Sequence, residues 1–208
     1  MTNNTATTST LARLRAICPH RALSSLEARR IAEHQAALLL SLSGVTSEPV
    51  SLTILSQLPR VRLGVEANLP TSGLSFWDGE SWRLLARADE HPNRQRFSLA
   101  HEYKHVIDHP VRDLLYSGHQ GREAVADHFA ACLLMPRRLV TRAWCAGVQD
   151  LSELAEQFAV SPAAMQRRLQ DLGHLTQQPP RRTFCTRGLR PAATLAMDRP
   201  VAHLGVPL

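Results

Sequence analysis

Apolar and polar positions divide the chain into a run of helices, interrupted once by a stretch of shorter period. Ser24-Ser25-Leu26-Glu27 carries a capping-box pattern, in which the Ser24 hydroxyl and the Glu27 carboxylate satisfy each other's backbone donors. It predicts a helix to about residue 42, with Ile31, Ala32, Ala36, Leu38, Leu39 and Leu40 among its apolar positions. Residues 51–58 read as a short helix. Arg60-Val61-Arg62-Leu63-Gly64-Val65 then alternates as a half-buried strand does. Leu74-Ser75-Phe76-Trp77 and Trp82-Arg83-Leu84-Leu85-Ala86 flank Asp78-Gly79-Glu80-Ser81, the pattern of a hairpin. Helical spacing returns at residue 97, where Ala100, Tyr103, Val106 and Ile107 mark one face. A second helix-forming run, 123–136, is closed by Pro136. Residues 138–146, 150–159 and 161–173 follow as further helices. The last is marked by Ser161 as N-cap, Pro162 in the first turn and Gly173 past the end.

Composition narrows the picture. A chain of 208 residues, 44% of them hydrophobic, suits one domain with a real core and perhaps a small appendage. Residues 1–22 open on a polar stretch without a basic start or an apolar centre, which reads as a disordered lead-in and not a secretory signal. The longest uncharged run near the first helix, 36–46, is about 11 residues, where a bilayer span needs about 20. Cys18, Cys132, Cys145 and Cys185 show no C-x-x-C spacing, so no disulfide framework is implied. Cys132 on an apolar helical face reads as a buried free thiol, and the whole suits a reducing cytoplasm. The net charge of +6 is almost all arginine, compatible with nucleic acid or an acidic partner but a weak indicator of either. The tail from residue 177, rich in Pro and Arg without periodicity, reads as flexible and a candidate partner contact.

The chemistry concentrates in His101-Glu102-Tyr103-Lys104-His105. On a helix, positions i and i+4 lie one above the other, so His101 and His105 can aim two imidazole nitrogens at one point. That is what a tetrahedral zinc ion needs from two of its ligands, and Glu102 stands close enough to hold a water without ligating the metal. A hydrolytic zinc site takes a third protein ligand. Glu123 and Asp127 are again i and i+4 on one face, Glu123 placed to ligate and Asp127 to accept from the outer N–H of a ligand histidine. The longer metzincin motif would need a glycine at 108 and a histidine at 111, where Asp108 and Val111 stand. Asp108 and His109 remain alternative ligands, less suited sterically than Glu123. The stretch 110–121 is expected to overhang the cleft, with Tyr116, His119 and His128 as candidate donors to an oxyanion. Lys104, the only lysine of the chain, is expected on a solvated helix face.

The blocks Arg94-Gln95-Arg96-Phe97-Ser98-Leu99-Ala100-His101-Glu102, the run 123–136 and Leu154-Ala155-Glu156-Gln157-Phe158-Ala159-Val160-Ser161-Pro162 resemble the ImmA/IrrE metallopeptidases in order and spacing. The likeness covers roughly residues 50–175; Tyr103-Lys104 departs from the small or apolar pair often found inside that family's motif. The resemblance implies an α+β, zincin-like fold with a small, mainly antiparallel sheet, a metal-binding helix pair and a C-terminal helix-turn-helix-like segment. It implies an intracellular zinc endopeptidase that cleaves a helix-turn-helix transcriptional repressor, releasing stress-response or mobile-element genes. His101, His105 and Glu123 would bind Zn2+ (or Mn2+ or Fe2+), and Glu102 would be the general base.

The expected organisation is a lead-in 1–22, a peptidase core 23–146, a helical segment 147–176 packed on it, and a tail 177–208. A rival account makes the protein a DNA-binding regulator with a structural or vestigial metal site, in which Gln166, Arg167, Arg168 and Gln170 contact nucleic acid. Another makes it a docking partner of the toxin–antitoxin kind.

Overall fold

The computed structural model describes residues 9–175. Helices α1 (Thr10–Arg15), α2 (Ser25–Leu42) and α3 (Thr53–Ser56) precede strands β1 (Val61–Glu66), β2 (Gly73–Trp77) and β3 (Trp82–Arg87). Six helices follow: α4 (Pro92–Asp108), α5 (Arg112–Leu115), α6 (His119–Leu134), α7 (Arg137–Cys145), α8 (Leu151–Gln157) and α9 (Pro162–Asp171). The fold is α+β, with α4 packed between the sheet and α6, and α6 in turn against α2. Buried residues from all three layers, among them Leu39, Leu84, Tyr103, Val106, Phe129 and Leu133, form one contiguous core. Among the described residues no helix is long and apolar enough to cross a membrane.

Local chemistry sets the element ends. The α2 capping box is formed, Glu27 N donating to Ser24 Oγ at 3.3 Å and Ser24 N to Glu27 Oε2 at 3.0 Å. The hairpin closes where Asp78 Oδ1 accepts from Ser81 N at 2.7 Å, and Gly79 takes the φ of +101° that a side chain would resist.

The sheet differs from the expected one. Its order is β1-β3-β2, with β2 antiparallel to β3 but β1 parallel to it, so the sheet is mixed. The cause is the connection 67–72, which crosses the end of β3: Ala88 N donates to Glu66 O and Arg87 N to Ser72 O. That crossing places the hairpin's second strand in the centre and leaves β2 at an edge.

The opening of the chain also departs from expectation. Within the stretch read as a disordered lead-in, residues 9–22 are structured. Ser9 caps α1, Leu14 is buried, and Arg15 donates to Val106 O and Ile107 O at the end of α4. Six residues carry too little periodicity to announce a helix; docking on α4 stabilises this one. Residues 1–8 and the tail 177–208 lie outside the described residues. At the other end, Leu154, Phe158, Met165 and Leu169 of the α8–α9 region belong to the common core.

Candidate metal centre

Helix α4 begins at Pro92, whose fixed φ suits a first turn, and His91 caps it by accepting from Asn93 N. Its apolar face, with Leu99, Ala100, Tyr103, Val106 and Ile107, is buried in the core. That anchoring leaves His101 and His105 half-buried at the edge facing α6. His105 Nε2 lies 3.0 Å from His101 Nε2, and the two Glu123 oxygens lie 3.2 Å from His101 Nε2 and 3.5 Å from His105 Nε2. A tetrahedral ion with bonds of about 2.0–2.1 Å separates its ligand atoms by about 3.3–3.4 Å; the spacings are of that size, with Oε2 of Glu123 facing His101 and Oε1 facing His105. Two imidazoles and a carboxylate at these spacings are a donor set that fits a metal ion. Asp108 and His109 are not part of this set: Asp108 is buried against Lys104, and His109 packs on Trp82 with ring centroids 4.9 Å apart.

Asp127, one turn beyond Glu123 on α6, stands 2.9 Å from His101 Nδ1. An N–H at that nitrogen donates to the carboxylate and leaves the Nε2 lone pair pointing toward Glu123 and His105. The electrostatics agree. Burial opposes a charge on His101, but the hydrogen bond to Asp127 and the charges of Glu102, Asp127 and Glu123 carry its pKa upward. Burial, helped by neighbouring His101, pushes His105 down to about 4, so its imidazole is neutral near pH 7. Asp127 is held below the usual carboxylate range, chiefly by the hydrogen bond from His101.

Glu102 is buried beside the histidines, and the ligand-type atoms of His101, Glu102 and His105 all lie within 4.8 Å of one another. Strand β2 restrains it. Ser75 Oγ donates to Glu102 Oε2 at 2.6 Å, and a Cβ built on Gly73 would sit only 3.0 Å from Glu102 Cγ and Oε1. Burial raises the Glu102 pKa, and the Ser75 hydrogen bond opposes the rise. Neither Gly73 nor Ser75 was identifiable in the sequence; their role depends on how an edge strand 27 residues upstream lies over α4. No spacing rule encodes that.

Other residues singled out in the sequence fall elsewhere. Lys104 is not on a solvated face: its side chain is 1% exposed, with Nζ 2.6 Å from Asp108 Oδ1 and 2.8 Å from Gln35 Oε1. Tyr116 is likewise committed, its hydroxyl donating to Asp108 Oδ2 at 2.6 Å, so it is no oxyanion donor in this arrangement. The stretch 110–121 is held down by that bond, by buried Leu115 and by Leu23 N donating to Leu115 O. His128 is buried on α6 with Nε2 3.5 Å from Cys132 Sγ. Of the three candidate donors only His119 approaches the ligand set, its Nε2 3.5 Å from Glu123 Oε1. Gln166 and Arg167 are exposed and Gln170 partly so. Arg168 is buried, its Nε donating to Met135 O at 3.0 Å, which removes it as a nucleic-acid contact.

Comparison with known proteins follows the same stretch of chain. The family description "IrrE N-terminal-like domain", Peptidase M78, matches residues 67–170, which hold both strands of the hairpin and helices α4 to α8 with most of α9. No curated protein matches significantly. Among solved structures, a Mycobacterium tuberculosis transcriptional regulator is similar in fold, with a TM-score of 0.52 at 19% identity. The alignment covers 83% of this chain and 53% of that one, so this chain spans about half the length of the mycobacterial protein.

Proposed function

The chain belongs to the M78 peptidases, the family of the IrrE N-terminal-like domain, and from that premise we propose that it is a zinc-dependent endopeptidase. The observation that carries the proposal is the convergence of His101, His105 and Glu123, with spacings of 3.0, 3.2 and 3.5 Å between their ligand atoms. These three are the proposed ligands. Zn2+ is the ion their nitrogens and carboxylate suit best, and Mn2+ and Fe2+ take the same donors. When bound, the metal supplies Lewis acidity, lowering the pKa of a coordinated water and polarising a peptide carbonyl.

The remaining chemistry belongs to the chain. Glu102, held by Ser75 and the bare backbone at Gly73, takes the proton of the attacking water and passes it to the leaving amine. Its raised pKa suits both halves of that transfer. Asp127 holds His101 in the tautomer and orientation that ligation needs. His119, exposed beside Glu123, is the proposed donor to the oxyanion. The free edge of β2 next to Glu102 offers backbone groups with which an extended peptide can pair.

The proposed substrate is a cytoplasmic transcriptional repressor of the helix-turn-helix type. The family resemblance supports this. The rival DNA-binding reading is weakened by the burial of Arg168. The test is incubation of zinc-loaded protein with candidate repressors from the same genome, followed by mass spectrometry of new termini. One discrete cut by wild type and none by Glu102→Gln is expected. A cut made equally by Glu102→Gln would contradict the proposal.

A further inference from the structure

A groove of about 650 Å³ is lined by Asp127 but by neither metal-site histidine, and is bounded by the first turns of α4, one face of α6 and helix α9. Its volume is in the range of ligand pockets, about 300–1,000 Å³. Asp127 belongs to both: it accepts from His101 and it lines the groove. Its apolar lining includes Phe97, one turn before His101 on α4, Ala131 on α6 and Met135 just past the end of α6.

Four arginines line the groove, and they are not equivalent. Arg29 is paired with Asp171 at 3.1 Å, and Arg168 is buried on Met135 O. Arg94 lies over the Phe97 ring at 5.8 Å and makes only long polar contacts, 3.8 Å to Glu90 Oε2 and 3.5 Å to Ser72 Oγ. Arg167 is exposed and has no ion-pair partner among the described residues. Both Arg94 and Arg167 act electrostatically on Asp127. Two guanidiniums with donors to spare therefore line a partly apolar groove that shares Asp127 with the candidate metal centre.

We propose that this groove receives substrate residues next to the scissile bond, and that it selects an acidic side chain among apolar neighbours. The apolar part would lie on Phe97, Ala131 and Met135, and the carboxylate would meet Arg94 and Arg167, whose planar forks suit it. A nucleic-acid strand is the poorer occupant, because the lining is partly apolar and the Asp127 and Asp171 carboxylates also line the groove. The inference rests on the peptidase reading and specifies its substrate class.

The test uses peptidyl hydroxamates, extended on either side of the metal-binding group, with Glu, Gln or Lys beside a constant leucine. Affinity for zinc-loaded protein is read by calorimetry, so no cleavage is required. The Glu compound of one series is expected to bind about five- to tenfold tighter than its Gln counterpart, the Lys compound more weakly still. Arg167→Ala and Arg94→Ala should each shrink that preference, and Arg167→Glu should turn it toward Lys. Equal affinities for all three, or a preference unchanged in every arginine variant, overturns the inference and leaves the peptidase reading standing. Duplex DNA that competes with the hydroxamates through Arg94 and Arg167 also overturns it, in favour of a nucleic-acid occupant. If no hydroxamate of either series binds protein that holds its zinc, the peptidase reading fails and the inference with it.

Discussion

Lys104→Met tests the packing that supports the metal centre. Lys104 and Asp108 are i and i+4 near the end of α4, with side chains 1% and 5% exposed, and their charged atoms are 2.6 Å apart. The pair sits in a buried network. Gln35 Oε1 accepts from Lys104, Gln35 Nε2 donates to Leu14 O, and Tyr116 donates to Asp108. Methionine fills much the same space but removes the ammonium, so the Asp108 charge loses its counter-ion and Gln35 Oε1 its donor. Breaking a buried pair from one side costs about 3–5 kcal/mol, much of it the penalty of the carboxylate left behind. Removing both charges costs far less, so Lys104→Met with Asp108→Asn should recover most of the loss. Asparagine keeps an oxygen for the Tyr116 hydroxyl. The assay is urea unfolding of the metal-free proteins followed by circular dichroism, read as a double-mutant cycle. A single-variant cost under about 1 kcal/mol, or a double variant equal to the sum of the singles, would refute a buried and coupled pair. Lys104 lies between His101 and His105 on the helix, so the single variant should also bind metal more weakly.

Three further outcomes follow from the same geometry. Asp127→Asn or Asp127→Ala should weaken zinc binding by about 10- to 100-fold in a chelator competition, because His101 loses the acceptor at Nδ1; unchanged affinity would remove Asp127 from the support of the centre. Gly73→Ala places a methyl 3.0 Å from Glu102 Cγ, so turnover of any substrate the wild type cleaves should fall at least about tenfold while zinc content stays the same. Equal turnover in that variant would show that Glu102 has room to move. Burial pushes His128 down to about 4, against about 6.5 in an unfolded chain. Its neutral form is therefore favoured in the fold: that contribution is full above about pH 6.5 and is lost as pH falls toward 4, a change of about 1–3 kcal/mol. Metal-free wild type should lose stability over that window more steeply than His128→Leu, and parallel curves would contradict the assignment.

How much could be read in advance follows from the range of the interactions. The His101–His105 pair was legible because helical geometry is local, and so were the Ser24 and Ser161 caps and the turn at Asp78. Glu123 and Asp127 could be nominated on one helix face, but only packing of α6 on α4 brings that face to the histidines. Longer-range facts were not legible. The parallel pairing of β1 depends on which neighbour the hairpin leaves free, and alternation in Arg60-Val61-Arg62 carries no direction. An isolated lysine is usually solvated, so the sequence favours an exposed Lys104. Its partner Asp108 was in plain view at i+4, but Gln35 and Tyr116, which complete the burial, come from other elements. The rival account's contact at Arg168 is removed by a partner equally distant in sequence, its acceptor Met135 O lying 33 residues away in the chain.

Metal content bears most directly on the central claim. Elemental analysis of wild type, Glu123→Ala and Glu102→Gln, each checked for folding, separates the proposed ligands from the proposed base. About one zinc per chain is expected in wild type and in Glu102→Gln, and close to none in Glu123→Ala, which keeps only two imidazole donors. Folded wild type that takes up no metal when zinc is supplied would contradict the account, as would a Glu123→Ala protein that keeps its full complement.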